Sequence, residues 1–158
     1  MKISTITSAI AIAAASPNKR TDADRKTAKD FLDALALKIN GYETSGKYSK
    51  VNINKARKLI EQGYIYETLV DNFNDIKEKL DAAHKANDKS AFIAAFADLE
   101  ALIKNTKVKT IYTYLKGVWK APFSSMNDYY GDLLNKYARL FRMYQSCGTV
   151  AKDFAKQK

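Results

Sequence analysis

The sequence predicts an all-α protein, a single-domain bundle of five to six helices that follows a small-residue N-terminal arm. Apolar residues recur every three or four positions over most of the chain, which is the period of one helix face. Ser, Thr, Asp, Asn and Gly stand at the breaks between these segments, as at the ends of helices. A chain of 158 residues, 46% of them hydrophobic, can bury one core without metals or disulfides. We therefore divide it into an arm (residues 1–20), a bundle (residues 21–148) and a basic tail (residues 149–158).

The arm carries four isoleucines among Ser, Thr and Ala. A lysine near its start, a short apolar run and three alanines before Ser16 resemble a secretion signal with its cleavage site. Against this interpretation, the run contains no Leu or Phe and is interrupted by Ser and Thr. Two hypotheses stay open: residues 1–15 are a secretion signal, or the arm docks on another component. No stretch approaches the roughly 20 apolar residues that cross a bilayer.

The first helix of the bundle is predicted to begin at Thr21 and to end at Asn40 and Gly41. Thr21 is followed by Asp-Ala-Asp, which supplies a cap and acidic residues for the helix N-terminus. Gly41 is the residue type that most often stops a helix. The segment 41–50 contains Gly, Ser and Thr with two tyrosines and two lysines, so we expect a polar loop, which is the best candidate for a mobile or partner-contacting segment.

Two helices are predicted between residues 52 and 86. The first is short and basic, covers residues 52–62 and is closed by Gly63. The second covers residues 65–86, with apolar residues in heptad steps and alternating acidic and basic residues outside. Asn87 and Asp88 break the pattern before another helix begins, so we expect an antiparallel acidic hairpin.

The segment 107–121 contains Val, Ile, Thr and Tyr, which have strand propensity, but its apolar residues follow the helical period. We therefore predict a helix that ends before Pro122. The longest helix is predicted from Ser124 to Gly148, and its apolar stripe should be central to the core. The residues expected to form that core are Phe31, Leu35, Phe73, Phe96, Leu102, Trp119, Leu133, Tyr137 and Leu140.

The sequence gives no pattern for catalysis, for a metal site or for a cofactor. The single histidine, His84, follows Asp81 by three residues, but no second Glu-x-x-His copy completes a helical metal site. We expect His84 at the surface. The single cysteine, Cys147, lies on an apolar stripe, which favours a buried thiol over a nucleophile. The six glycines stand singly, so no glycine-rich loop can bind a phosphate. A non-enzymatic protein is the prediction.

The charge is +10 at neutral pH, from 27 basic and 17 acidic residues, and it is unevenly distributed. Residues 1–60 carry 12 basic and 5 acidic groups, residues 61–100 carry 4 and 9, and residues 101–158 carry 11 and 3. Such an excess favours anionic partners. The acidic middle could pair with the basic ends of the same chain, or with those of a neighbouring copy in an assembly.

Three basic surfaces accompany aromatic residues, and lysine predominates in them. Lysine suits diffuse contacts with phosphates better than bidentate reading of bases, so we expect nucleic-acid binding without sequence preference. The predicted contact residues are Lys50, Lys55, Arg57, Lys58, Lys109, Lys116, Lys120, Lys136, Arg139 and Arg142.

The sequence therefore predicts a basic helical subunit, one copy of several in a nucleoprotein assembly, located in the cytoplasm or within the particle. The alternative is a secreted helical bundle that binds a protein or an anionic membrane surface, in which case residues 1–15 are the secretion signal.

Overall fold

The computed structural model describes residues 19–157, which are 87% helical and contain no strand. This confirms the predicted all-α class and the count of five to six helices. Residues 1–18, which hold most of the predicted arm, lie outside the described part. The helices are α1 (Asp22–Ser45), α2 (Lys50–Lys85), α3 (Lys89–Asn105), α4 (Val108–Val118) and α5 (Asn127–Lys156), with a 3₁₀ turn at Ser124–Met126 before α5.

Helix α1 begins at the predicted cap but extends beyond Gly41. The Thr21 side chain accepts a hydrogen bond from the Asp24 amide while the Asp24 carboxylate accepts one from the Thr21 amide, which completes a capping box. The predicted end at Gly41 is wrong. The helix instead ends at Gly46, which has a left-handed φ of 69° and donates its amide to the Glu43 carbonyl.

Helix α2 runs without a break through Gly63, so the two helices predicted for this region are one helix of 36 residues. A Cβ atom at Gly63 would lie 2.2 Å from the Tyr129 hydroxyl and 2.7 Å from Leu32 Cδ2. Gly63 therefore permits close packing inside a helix and does not end one.

The connections after α2 are short. Asp88 caps α3 by accepting a hydrogen bond from the Ala91 amide, and Asn87 before it has a φ of 51°. Helix α4 ends at Val118, because Trp119 takes a φ of 71°. Helix α5 continues through the predicted stop at Gly148 to Lys156, so most of the predicted tail is helical.

The chain divides into two compact units. The tyrosine unit comprises residues 21–68 and 108–139. The described part of the other, the hairpin unit, comprises residues 19–20, 69–107 and 140–157.

In the tyrosine unit, three tyrosines of α5 donate hydrogen bonds to backbone carbonyls of α2 and α4. Tyr129 donates to the Leu59 carbonyl and Tyr137 to the Gln62 carbonyl, both at 2.7 Å. Tyr130 donates to a carbonyl at the end of α4. Each ring fills the interior while its hydroxyl finds a partner, which a buried tyrosine requires. These bonds fasten α5 to both neighbouring helices.

In the hairpin unit, the second half of α2 and helix α3 form the expected antiparallel pair, joined by a three-residue turn. The Phe92 ring is fully buried and contacts both His84 and Phe154, with centroids 5.8 and 5.4 Å away. The predicted surface position of His84 is therefore wrong, since its ring is half-buried between two phenylalanines.

Most of the predicted core residues are buried, and two are wrong. Phe31 is 55% exposed and Trp119 is 87% exposed. Phe31 lies at the edge of the buried stripe of α1, and Trp119 follows the last residue of α4, where the helical period no longer sets the direction of a side chain. The buried predictions are Leu35, Phe73, Leu133, Tyr137 and Leu140, whereas Phe96 and Leu102 are half-buried.

Candidate nucleic-acid interface

Nine of the ten predicted contact residues belong to the tyrosine unit, and Arg142 belongs to the hairpin unit. The tyrosine unit carries 14 basic and 9 acidic residues, a net charge of +5. Whether this excess can attract a polyanion depends on which cations already have a carboxylate beside them.

Two of the predicted residues are neutralised by carboxylates. Arg57 of α2 donates to both carboxylate oxygens of Glu43, at 2.9 and 2.6 Å, and also to the Asn40 side chain at 3.0 Å. The guanidinium holds the pKa of Glu43 below its ordinary value. Lys136 lies 2.9 Å from the Asp132 carboxylate one turn earlier on α5. These two side chains are poor candidates for phosphate contacts, because a phosphate would have to compete with an existing partner.

Besides Lys136, whose Nζ is 5.2 Å from the Tyr66 centroid, two predicted lysines lie over tyrosine rings. Lys58 Nζ is 4.3 Å from the Tyr114 centroid, and Lys116 Nζ is 4.6 Å from the Tyr112 centroid. Both lysines are exposed, so the rings restrict their side chains without removing the charge from solvent. The Lys58 contact also joins the basic part of α2 to α4.

The remaining predicted residues are exposed and lie more than 4 Å from any carboxylate of residues 19–157. In the tyrosine unit they are Lys50, Lys55, Lys109, Lys120 and Arg139, and in the hairpin unit Arg142. We call the five residues of the tyrosine unit the unpaired cations, because none forms an ion pair within 4 Å among the described residues; Lys50 still interacts electrostatically with Glu43 and helps to lower the pKa of that carboxyl.

The structure does not merge the predicted basic surfaces into one. At about 100° per residue, Lys109 and Lys116 fall on one stripe of α4, and Tyr114 falls roughly 140° around the helix from Lys109. Because Lys58 packs on Tyr114, the basic part of α2 adjoins the flank of α4 away from Lys109 and Lys116. The surface therefore consists of separate cationic patches, an arrangement that suits a flexible or wrapping polyanion.

Trp119 is the functional candidate that the sequence reasoning missed, since it was placed in the core. The only tryptophan of the chain stands beside Lys120, three residues after Lys116, and is 87% exposed. The nearby Pro122 was the available signal, because a helix usually ends before a proline and a residue there need not follow its buried face.

An aromatic cluster supports the segment that follows Trp119. The ring of Phe123 is buried and lies 4.9 Å from Tyr42 and 5.1 Å from Tyr48, with both pairs near perpendicular. The Tyr42 hydroxyl is 3.1 Å from the Ser125 hydroxyl. The end of α1, the loop before α2 and the approach to α5 are thereby held together.

A cavity of about 330 Å³ also lies in the tyrosine unit. Phe31, Tyr66, Tyr129 and Leu133 form much of its wall. Lys136 is the one basic residue that lines it, and Asp132 already pairs with that lysine. The cavity therefore offers an anion no uncompensated charge.

Two of the residues considered for chemistry, Cys147 and Asp81, are buried. Cys147 is buried as predicted, and burial raises the pKa of its thiol to about 11, so it is protonated at neutral pH. Asp81 is 4% exposed and pairs with Lys85 at 3.0 Å. Among the described residues, no group of three or more His, Cys, Asp and Glu side chains could hold a metal ion.

Within residues 19–157, each helix is either too short or too polar to span a lipid bilayer. The chain matches no protein-family model, no curated protein and no solved structure, so the candidate interface rests on its own geometry.

Proposed function

We propose that this protein is a non-enzymatic, basic helical subunit that binds the backbone of nucleic acid as a repeated component of a larger assembly. The observation that carries the proposal is the set of unpaired cations on a unit whose net charge is +5. An exposed cation without a carboxylate within ion-pair distance is balanced largely by mobile counterions, which a phosphate can replace with a gain in entropy.

The kind of cation favours backbone contact. Four of the five unpaired cations are lysines, which bind phosphate as point charges and lack the planar two-donor fork that reads a base edge. The arginine best oriented for bidentate contact, Arg57, is already committed to Glu43. Binding without sequence preference follows from this distribution.

The test is the salt dependence of affinity, measured by fluorescence anisotropy with a labelled strand and a labelled duplex of about 20 nucleotides between about 50 and 200 mM salt. Five phosphate contacts give a slope of log affinity against log salt of roughly −3.5 for a single strand and −4.5 for a duplex. Replacing Lys109 and Lys120 by Gln should flatten the slope by about one to two units, as should replacing Lys55 and Arg139.

The matched control changes Lys26 and Lys29 to Gln. These lysines also lie on the surface of the tyrosine unit, but each is paired with a carboxylate four residues later, Asp30 at 2.6 Å and Asp33 at 2.8 Å. The net charge falls by the same amount, yet the slope should stay unchanged. If the control flattens the slope as much as the Lys109 and Lys120 variant, total charge and not this surface determines binding. A wild-type protein that binds neither ligand at low salt contradicts the proposal.

Assembly is the second part of the proposal, and it depends on the N-terminal residues. In the hairpin unit, Arg20 pairs with Asp71 at 2.9 Å and Lys19 reaches Asp75 at 3.9 Å, so part of the acidic middle is neutralised within the chain. This leaves less acidic charge for a neighbouring copy, and we assign the main contact between copies to residues 1–20. Deleting them should lower the molar mass in light scattering without changing helix content per residue. A shortened chain that still assembles rules this out.

A further inference from the structure

Trp119 occupies an unusual position for a large aromatic residue. It is 87% exposed, and its φ of 71° lies in the left-handed region that residues other than glycine rarely adopt. Backbone of this kind persists where the surrounding structure enforces it, and it is often found at functional positions. The indole ring buries little of its area in the fold, and glycine, the residue type best suited to this backbone, is absent from the position.

The surroundings of Trp119 are cationic on one side and rigid on the other. Lys116, one turn earlier, is held over the Tyr112 ring, and Lys120 follows directly. Beyond Pro122, the ring of Phe123 is fixed in the cluster with Tyr42 and Tyr48. An exposed aromatic face is thus presented between two lysines on an anchored segment.

We infer that Trp119 stacks on an unpaired base while Lys116 and Lys120 contact the flanking phosphates, so that the ligand is single-stranded nucleic acid. This inference rests on the proposed function and narrows its substrate. The bases of a duplex are stacked on both faces, whereas an unpaired base can offer its face to an aromatic ring. Stacking on a single ring also tolerates any base, which agrees with binding without sequence preference.

A membrane surface fits this position less well. The other large apolar side chains exposed in residues 19–157 stand elsewhere in the sequence, at Phe31, Leu37, Tyr48, Val51 and Ile93. Trp119 stands at the end of α4 with lysines at positions 116 and 120, so the segment around it alternates apolar and cationic residues. A surface helix that binds membranes instead presents a continuous apolar face.

The experiment uses the full chain and the fluorescence of its only tryptophan, which reports on Trp119 alone. The ligands are oligothymidylate of about 20 nucleotides, a blunt duplex of the same length, heparin and vesicles containing phosphatidylserine, all at low salt. We expect oligothymidylate to quench the emission, and duplex and heparin to leave it nearly unchanged even where anisotropy or competition shows that they bind.

Variants separate stacking from charge. Trp119→Ala should weaken oligothymidylate binding by about fivefold to 150-fold without changing the salt slope, because the ring neutralises no phosphate. Trp119→Phe should retain part of the affinity. Phe31→Ala is the matched control, since Phe31 is an exposed aromatic residue of the same unit outside the α4 segment, and it should bind as the wild type does.

Each remaining outcome decides the question. Binding to oligothymidylate without quenching, or equal quenching by the duplex, overturns the stacking inference and leaves backbone binding intact. Quenching by vesicles without quenching by oligothymidylate overturns it in favour of a membrane contact. Absence of binding to every nucleic acid overturns the inference and the proposed function together.

Discussion

The tyrosine unit buries aromatic side chains in its interior and exposes a large aromatic side chain on its outer face. Inside, the rings of Tyr129 and Tyr137 are buried and their hydroxyls donate to the carbonyls of Leu59 and Gln62. Outside, Trp119 exposes its ring and the unpaired cations have no carboxylate of the described residues within 4 Å. Stability and binding are thereby assigned to different residues, and each should change without the other.

The largest expected effect is on the interior, at Gly63. Gly63→Ala would place a Cβ atom 2.2 Å from the Tyr129 hydroxyl, so the tyrosine must move and lose its hydrogen bond to α2. Overpacking costs about 1–3 kcal/mol and an unsatisfied buried hydroxyl adds a comparable amount, so we expect a loss of about 2–4 kcal/mol in the free energy of unfolding. Chemical denaturation followed by circular dichroism measures it.

The matched control is Gly117→Ala in α4. Gly117 is helical and exposed, and no atom of the described residues outside its local backbone lies within 4 Å of a Cβ placed there. This substitution should stabilise the protein by about 0.5–1 kcal/mol, because alanine loses less backbone entropy in a helix. Equal effects at the two glycines would show that Tyr129 does not pack against Gly63 as described. Nucleic-acid affinity should be unchanged in both variants.

A smaller effect on the interior is expected at alkaline pH. Burial raises the pKa of Tyr129 and of Tyr137 above the ordinary value of 10.0. These two tyrosines therefore ionise at a lower pH in the unfolded chain than in the folded protein. Their contribution to the free energy of unfolding is complete below pH 10 and is lost as the pH rises towards the folded pKa. We expect about 1 kcal/mol to be lost for each tyrosine at pH 11.

The measurement is the free energy of unfolding from pH 8 to pH 11 for the wild type and for Tyr137→Phe. Lysines also titrate in this range, but they do so in both proteins, so the difference between the two curves isolates Tyr137. The variant should be less stable at pH 8, and the gap should narrow as the pH rises. Parallel curves would mean that the Tyr137 hydroxyl is accessible to solvent.

The sequence by itself determined the helices, their starts and many buried positions, because these depend on residues three and four positions apart. The apolar period predicted helical structure over every described helix, although it divided α2 into two, and it did so even for α4, whose residues have strand propensity, because one continuous buried stripe outweighs local preference. Thr21 and Asp88 marked true helix starts, since a capping side chain bonds to an amide three residues away. The stripe of α5 likewise identified Tyr137 and Cys147 as buried.

The tertiary structure alone decided what depends on residues distant in sequence. Gly63 lies inside a helix and does not end it. A glycine is needed there because Tyr129, 66 residues later, packs where a side chain would be. Arg57 is excluded from the binding surface by Glu43, which lies 14 residues away and could be its partner only once α1 had passed Gly41. Trp119 is exposed because the helix ends at the residue before it, and periodicity carries no information beyond a helix end. The net charge was readable from composition, but which cations remain unpaired follows from packing, because an ion pair forms only where the fold brings opposite charges within a few ångströms.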